Sequence, residues 1–71
     1  MTKPFDLLTT AIGKNVLVKL KNGMELRGTL NAYDPHLNLS MSDAEELKDG
    51  EVIRKLGSLL VRGDTIVYVS P

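Results

Sequence analysis

Two short polar motifs interrupt the apolar segments of the sequence, DPHLN at positions 34–38 and LVRGD at positions 60–64. In the first motif His36 and Asn38 are two residues apart, so on an extended strand they share one face, ~6.5–7 Å apart. The imidazole of His36 and the guanidinium of Arg62 offer flat surfaces for stacking, and the carboxamide of Asn38 offers a donor and an acceptor for the edge of a uracil. Stacking combined with edge hydrogen bonds is typical of single-stranded RNA recognition.

Each motif taken alone also has a plainer interpretation. Asp34 and Asn38 are suited to capping the end of a strand, and His36 to standing solvated in a turn. The RGD segment at positions 62–64 reads equally well as an ordinary tight turn. Residue by residue, the sequence leaves these alternatives open.

The sequence offers little for catalysis or metal binding. It contains one histidine and no cysteine, and only Asp34 lies near His36 along the chain, too close to support an evident catalytic triad. It has no glycine-rich phosphate loop and no paired metal ligands. We therefore expect a protein that is not an enzyme and that uses no metal and no cofactor.

The chain is short and has no net charge, with 71 residues of which nine are basic and nine acidic. We interpret residues 1–71 as a single domain. So small a core usually needs a disulfide, a metal or a partner subunit, and here the partner subunit remains. A neutral chain has no general electrostatic attraction for phosphates, so local geometry must supply any binding of nucleic acid. No segment approaches the ~20 apolar residues of a membrane span, and we expect a cytoplasmic location.

The spacing of apolar residues predicts one short helix and then strands. Phe5, Leu8 and Ile12 recur at helical spacing, and Gly13 is well placed to end the helix. From Asn15 the apolar residues alternate with polar ones, as in a half-buried strand. Five strands are predicted in all, and the apolar faces of the second and third contain Leu26, Gly28, Leu30, Ala32, Leu37, Leu39 and Met41.

The turns between these strands are predicted from their residue types. Asn22-Gly23 predicts a type I′ hairpin turn, in which both central residues have positive φ. Gly28 inside the second strand predicts a sharp bend or a close backbone approach. The acidic run at positions 43–46 predicts a hairpin loop, closed by the turn dipeptide Asp49-Gly50.

The last two strands, at positions 51–61 and 65–69, end in nearly continuous apolar runs. In a monomer of this size such strands would present aggregation-prone edges. Pairing the fourth strand of one subunit with the fifth of the next would cover both. This contact joins two different surfaces head to tail, so it generates a ring if the rotation closes.

With both motifs at these positions, the chain resembles an archaeal Sm-like (LSm) protein from about Lys3 to Pro71. The second motif differs from that of bacterial Hfq, which is built around tyrosine, lysine and histidine. The resemblance implies a mainly β fold, with a short N-terminal helix followed by a strongly bent five-stranded antiparallel sheet, an open barrel that assembles into a ring of about seven copies. It also implies the candidate RNA-binding residues, which are His36, Asn38, Arg62, Gly63 and Asp64.

In this resemblance a uracil lies between His36 and Arg62, and Asn38 reads its edge. Asp64 orients Asn38 or Arg62, and Gly63 lets the backbone approach the base. Tyr33 and Lys3 form a candidate second, outer RNA site; in the alternative, Tyr33 only packs at the surface. The implied function is a ring that binds U-rich single-stranded RNA and scaffolds RNA processing, annealing or ribonucleoprotein assembly. The alternative is a structural ring for protein partners, in which RNA binding is incidental.

Overall fold

A computed structural model describes the backbone of residues 4–71 and the side chains of residues 6–71. The helix α1 spans Pro4–Ala11, and Gly13 follows it with φ +83°, a left-handed conformation common just after a helix. No helix in residues 4–71 is long and apolar enough to cross a membrane. The strands of this part of the chain are β1 Asn15–Leu20, β2 Glu25–Tyr33, β3 Leu39–Lys48, β4 Glu51–Val61 and β5 Ile66–Ser70, with a 3₁₀ turn at Gly63–Thr65 before β5.

The strands form one antiparallel sheet in the order β4-β3-β2-β1-β5. The first four strands are a meander, and β5 returns along the other edge to pair with β1. At Gly28 the backbone of β2 comes close to that of β3, and the register of the two strands shifts between Arg27 and Thr29. A Cβ atom at Gly28 would lie 2.8 Å from Cα of Ala44 and 2.9 Å from the carbonyl oxygen of Ser42, so this position requires glycine.

The core fills the inner face of the bent sheet and is apolar. Among the described side chains, no polar or charged residue is buried. Ala11 of the helix packs onto this face and is fully buried. The strand residues buried with it are Val16, Val18, Leu26, Leu30, Leu39, Met41, Ala44 and Val61.

The hairpin between β1 and β2 is confirmed, but its predicted type I′ turn is wrong. Gly23 has φ +89°, whereas Asn22 is not among the residues with positive φ. The N–H of Gly23 donates to the carbonyl of Leu20 over 3.0 Å, which is a type I turn followed by a left-handed glycine. Positive φ at both central residues occurs instead at Asp49 and Gly50, with φ +52° and +82°.

The predicted acidic loop at positions 43–46 is wrong, because these residues belong to β3. Two-residue turns close a hairpin tightly, so the ladder continues to the pair formed by Lys48 and Glu51. Ala44 and Leu47 supply the buried side of this segment. On its other side, carboxylates pair across the strands, Glu45 with Arg27 and Glu46 with Arg54.

Two further residues leave the faces predicted for them. The register shifts between Leu30 and Ala32, so Ala32 is exposed and Tyr33 packs against the core instead.

Leu37 has φ +63° and is 43% exposed, because it lies in the turn before β3 rather than on the strand. His36 lies in the same turn, so the predicted strand spacing between His36 and Asn38 is wrong.

The two edges of the sheet expose large apolar side chains. On β4 the side chain of Leu60 is 70% exposed, and on β5 that of Val67 is 59% exposed. Tyr68, next along β5, is 47% exposed. These exposures agree with the expectation that both edges need cover.

Candidate functional site

The two polar motifs meet at one end of the sheet. The pairing of Leu39 with Val61 brings the turn before β3 beside the turn after β4. His36, Asn38, Arg62, Gly63 and Asp64 together line an open depression of about 430 Å³, called the base depression below. The structure thus brings together all five candidate RNA-binding residues.

Asp34 organises the turn before β3, in agreement with the capping interpretation that the sequence left open for it. Its Oδ1 accepts hydrogen bonds from the backbone N–H of His36 at 2.9 Å and of Asn38 at 3.0 Å. Its Oδ2 accepts a third from Nδ2 of Asn38 at 2.9 Å. The signal was present in the sequence, since an aspartate before Pro-His-Leu-Asn is suited to bond the backbone two residues on.

These hydrogen bonds also affect the ionisation of Asp34. The bond from the side chain of Asn38, followed by the bond from its backbone, lowers the pKa of Asp34 below its ordinary value of 3.8. The backbone and charge of His36 act in the same direction, while desolvation opposes them. Asp34 is therefore ionised at neutral pH and acts only as an acceptor.

Asn38 links the two turns, and its amide retains hydrogen-bonding capacity beyond that link. Its Oδ1 accepts from the backbone N–H of Gly63 at 2.8 Å, while its Nδ2 donates to Asp34. These partners fix the orientation of the amide, because a carboxylate only accepts and a backbone N–H only donates. One N–H and one lone pair of Asn38 remain, and the edge of a uracil offers the acceptor and the donor that match them.

Arg62 and Asp64 form an ion pair at the rim of the base depression. Nη2 of Arg62 lies 3.0 Å from Oδ2 of Asp64, and their side chains are 77% and 62% exposed. Of the two partners expected for Asp64, the structure pairs it with Arg62, whereas Asn38 is held by Asp34. Exposed pairs are weak, so Asp64 does not hold the guanidinium in one fixed orientation.

Gly63 allows the two turns to touch. A Cβ atom at this position would overlap the carbonyl oxygen of His36 and would lie 2.9 Å from the carbonyl carbon of Leu37. Both obstacles are backbone atoms, which cannot move aside as a flexible side chain can. The glycine therefore serves the contact between the turns.

The predicted outer site is described only in part. Tyr33 is half-buried, packs against the core, and shares a hydrogen bond between its hydroxyl and Oγ1 of Thr9 in α1. Lys3 lies outside the described residues. Among the residues that the structure describes, no group of three or more His, Asp or Glu could hold a metal ion.

Comparison with known proteins shows the family of the chain. The sequence profile of the LSM domain matches residues 6–71. The chain belongs to the LSM family. It is 52% identical to an snRNP Sm-like protein of Methanococcoides burtonii over 69 residues, which are 97% of this chain and 96% of that protein. It is 54% identical to an snRNP Sm-like protein of Archaeoglobus fulgidus, with 97% and 90% of the two chains covered.

Solved structures of the family share the fold. A Sm protein of Pyrococcus abyssi in complex with a uridine heptamer has a TM-score of 0.95 and 44% identity, covering 99% of both chains. The SmAP1 heptamer of P. aerophilum has a TM-score of 0.91 and 44% identity, covering 100% of this chain and 95% of that one. The resemblance to archaeal Sm-like proteins and the predicted fold, a short helix and a bent five-stranded antiparallel sheet, are confirmed.

Proposed function

We propose that residues 1–71 act as a single domain that assembles into a homo-oligomeric ring of about seven copies and binds U-rich single-stranded RNA. The observation that carries this proposal is the tie between Asn38 and Gly63. It fixes an amide with one free donor and one free acceptor in the depression that the flat side chains of His36 and Arg62 also line. The similarity to a Sm protein in complex with a uridine heptamer supports uridine as the base.

The two exposed edges support assembly. β4 and β5 are the outer strands of the sheet, and Leu60 and Val67 on them are mostly exposed. Pairing β4 of one subunit with β5 of the next covers both edges. The heptamer of the P. aerophilum protein supports a closed ring.

Repetition strengthens a shallow site. The base depression is open and lined by five residues, so a single copy holds one base weakly. Identical depressions around a central pore engage successive bases of one strand, and the linked contacts raise the overall affinity far above that of one site.

The proposed activity is binding rather than catalysis. The ring holds RNA, without chemical change to it, for processing, annealing or ribonucleoprotein assembly in the cytoplasm. Its partners are RNA, further copies of the same chain and other proteins of RNA processing. In the second candidate function the ring is a scaffold for proteins, and RNA binding is incidental.

Light scattering for mass, combined with titration of oligo-U and oligo-A, tests the proposal. We expect a ring at micromolar protein concentration and tighter binding of oligo-U. A ring that binds both oligomers equally contradicts the base-reading role, and a ring that binds neither favours the protein scaffold.

Assembly is tested separately with a charge on the edge. Val67→Lys or Leu60→Lys should dissociate the ring or make the protein insoluble, because unpaired apolar strands are not tolerated. Ile12→Lys is the matched control, since Ile12 is 40% exposed, follows the helix and belongs to neither edge strand. A stable monomer formed by the unaltered chain rejects the ring.

A further inference from the structure

The charged side chains around the base depression are more negative than positive, which disfavours the phosphate of a bound nucleotide. Arg62 is paired with Asp64, and Asp34 adds a second carboxylate behind Asn38. Apart from His36, these side chains carry one positive and two negative charges. The chain as a whole has no net charge, so no overall positive potential offsets this local negative charge. A phosphate beside this site needs a cation from a neighbouring element.

A second depression adjoins the first on the side of the β1–β2 turn. It measures about 270 Å³ and is lined by Leu20, Lys21, Asn22, Asp64 and Thr65. Asp64 lines both depressions. The 3₁₀ turn Gly63–Thr65 is therefore the wall between them.

Backbone pairing fixes Lys21 relative to Arg62. The register of β1 with β5 sets Leu20 opposite Ile66, and the N–H of Lys21 donates to the carbonyl of Thr65 over 2.8 Å. The N–H and the hydroxyl of Thr65 in turn donate to the carbonyl of Arg62, at 3.1 Å and 2.7 Å. The backbone of Lys21 is thus held beside Thr65, which is itself hydrogen-bonded to Arg62 of the base depression.

The ammonium of Lys21 is free to bind an anion. Within residues 6–71 the ion pairs of the structure join Arg27 to Glu45, Arg54 to Glu46 and Arg62 to Asp64, and none uses a lysine. Lys21 is exposed. The neighbouring side chain is already committed, since Oδ1 of Asn22 accepts from the N–H of Met24 at 3.0 Å.

We propose that Lys21 is a phosphate-binding residue, and that the depression beside it receives the RNA phosphate next to the uridine held by Asn38. This inference rests on the proposed function. A lysine ammonium binds phosphate as a point charge. Such a contact positions the strand and carries no information about the base.

The test compares Lys21→Gln with Lys48→Gln. Both lysines are exposed, but Lys48 lies at the far end of β3, beside the Asp49-Gly50 turn. Affinities for oligo-U and oligo-A are measured by fluorescence anisotropy at ~50 and ~200 mM salt. Each lost phosphate contact with a single strand makes the slope of log K against log salt shallower by ~0.7. Across this fourfold change in salt, the variant therefore loses about 2.6-fold less affinity than the parent for each engaged subunit.

We expect the shallower slope and weaker binding of both oligomers for Lys21→Gln alone, with the ratio of oligo-U to oligo-A affinity unchanged. Lys21→Arg should keep the parental slope. Equal slopes for Lys21→Gln and Lys48→Gln overturn the proposal. A changed ratio overturns it as well, because Lys21 would then act on the base through Asp64. If the unaltered protein prefers oligo-U but the slopes are equal, only this inference fails; if it binds neither oligomer, the proposed function fails with it.

Discussion

Oδ1 of Asn38 accepts a hydrogen bond of 2.8 Å from the backbone N–H of Gly63, although the two residues are 25 positions apart in the chain. The same side chain donates to Asp34. Asn38 therefore holds two turns together and, in the proposed function, also reads the base. Asn38→Ala removes both roles at once, so a variant that separates them is needed.

Exchanging the two residues, with Asp34→Asn and Asn38→Asp together, separates structure from base reading. The new carboxamide at position 34 still accepts from the backbone and donates to the new carboxylate at position 38, which still accepts from Gly63. That carboxylate has no N–H for uracil. We expect near-parental thermal stability but a loss of uridine preference of roughly 1–3 kcal/mol per site, the cost of an unsatisfied polar group. Retained preference in oligo-U and oligo-A titrations would count against base reading by Asn38.

Arg62→Lys tests stacking. The lysine keeps the charge opposite Asp64 but loses the plane of the guanidinium. We expect oligo-U affinity to fall by roughly 1–3 kcal/mol per engaged base, the range for stacked bases, with little change in salt dependence. Arg54→Lys is the control, because Arg54 is also exposed and paired with a carboxylate, Glu46, away from the base depression. Near-equal affinities of the two variants would mean that Arg62 contacts only phosphate.

Gly63→Ala tests the contact between the turns. The added methyl group would meet the backbone of His36 and Leu37, so the turns must separate and the bond to Asn38 must lengthen. We expect a loss of about 1–3 kcal/mol in the free energy of unfolding, as for other overpacked sites, together with weaker oligo-U binding. Urea denaturation and anisotropy measure the two effects. If the variant keeps the parental free energy of unfolding and the parental oligo-U affinity, the site does not need the close contact between the two turns.

Acid should weaken the site through Asp34. Its pKa is lowered in the folded state by hydrogen bonds from the side chain and then the backbone of Asn38. Its stabilisation is therefore fully present above the unfolded-state pKa and is lost as pH falls through the lower, folded-state pKa. We expect thermal stability to decline as the pH falls below the unfolded-state pKa and through the lower folded-state pKa, with a component that is missing in Asp34→Asn. Asp43→Asn, a substitution at an exposed position of β3, should keep the acid-dependent loss of stability due to Asp34. If this variant lacks that loss as well, Asp34 is not its source.

Much of the fold was predictable because local patterns and tertiary packing agree. The helix that precedes Gly13, the strand that begins at Asn15 and the close backbone approach at Gly28 all appear where the sequence indicated. The acidic segment was mispredicted because its charges pair across strands, as Glu46 does with Arg54. Such pairing is invisible until the register is known.

The candidate site was predictable in its residues but less so in its geometry. The types of side chain identified His36, Asn38 and Arg62. Their arrangement depends on the left-handed conformation of Leu37 and on the three hydrogen bonds of Asp34. A single sequence carries no direct signal for a leucine with positive φ, since few such residues adopt it.

The order of strands in the sheet also bears on when the site matures during folding. The base depression depends on the pairing of β3 with β4, a hairpin closed by the short Asp49-Gly50 turn. The position of Lys21 depends instead on β1 meeting β5, which joins nearly opposite ends of the chain, and closing so long a loop is entropically costly and slow. We expect the amide of Lys21 to gain protection from hydrogen exchange after that of Gly63 during refolding; simultaneous protection would contradict this order. The part of the site that recognises the base would then form before the part that binds the RNA phosphate. A newly made subunit could therefore distinguish uridine before it could bind the RNA backbone.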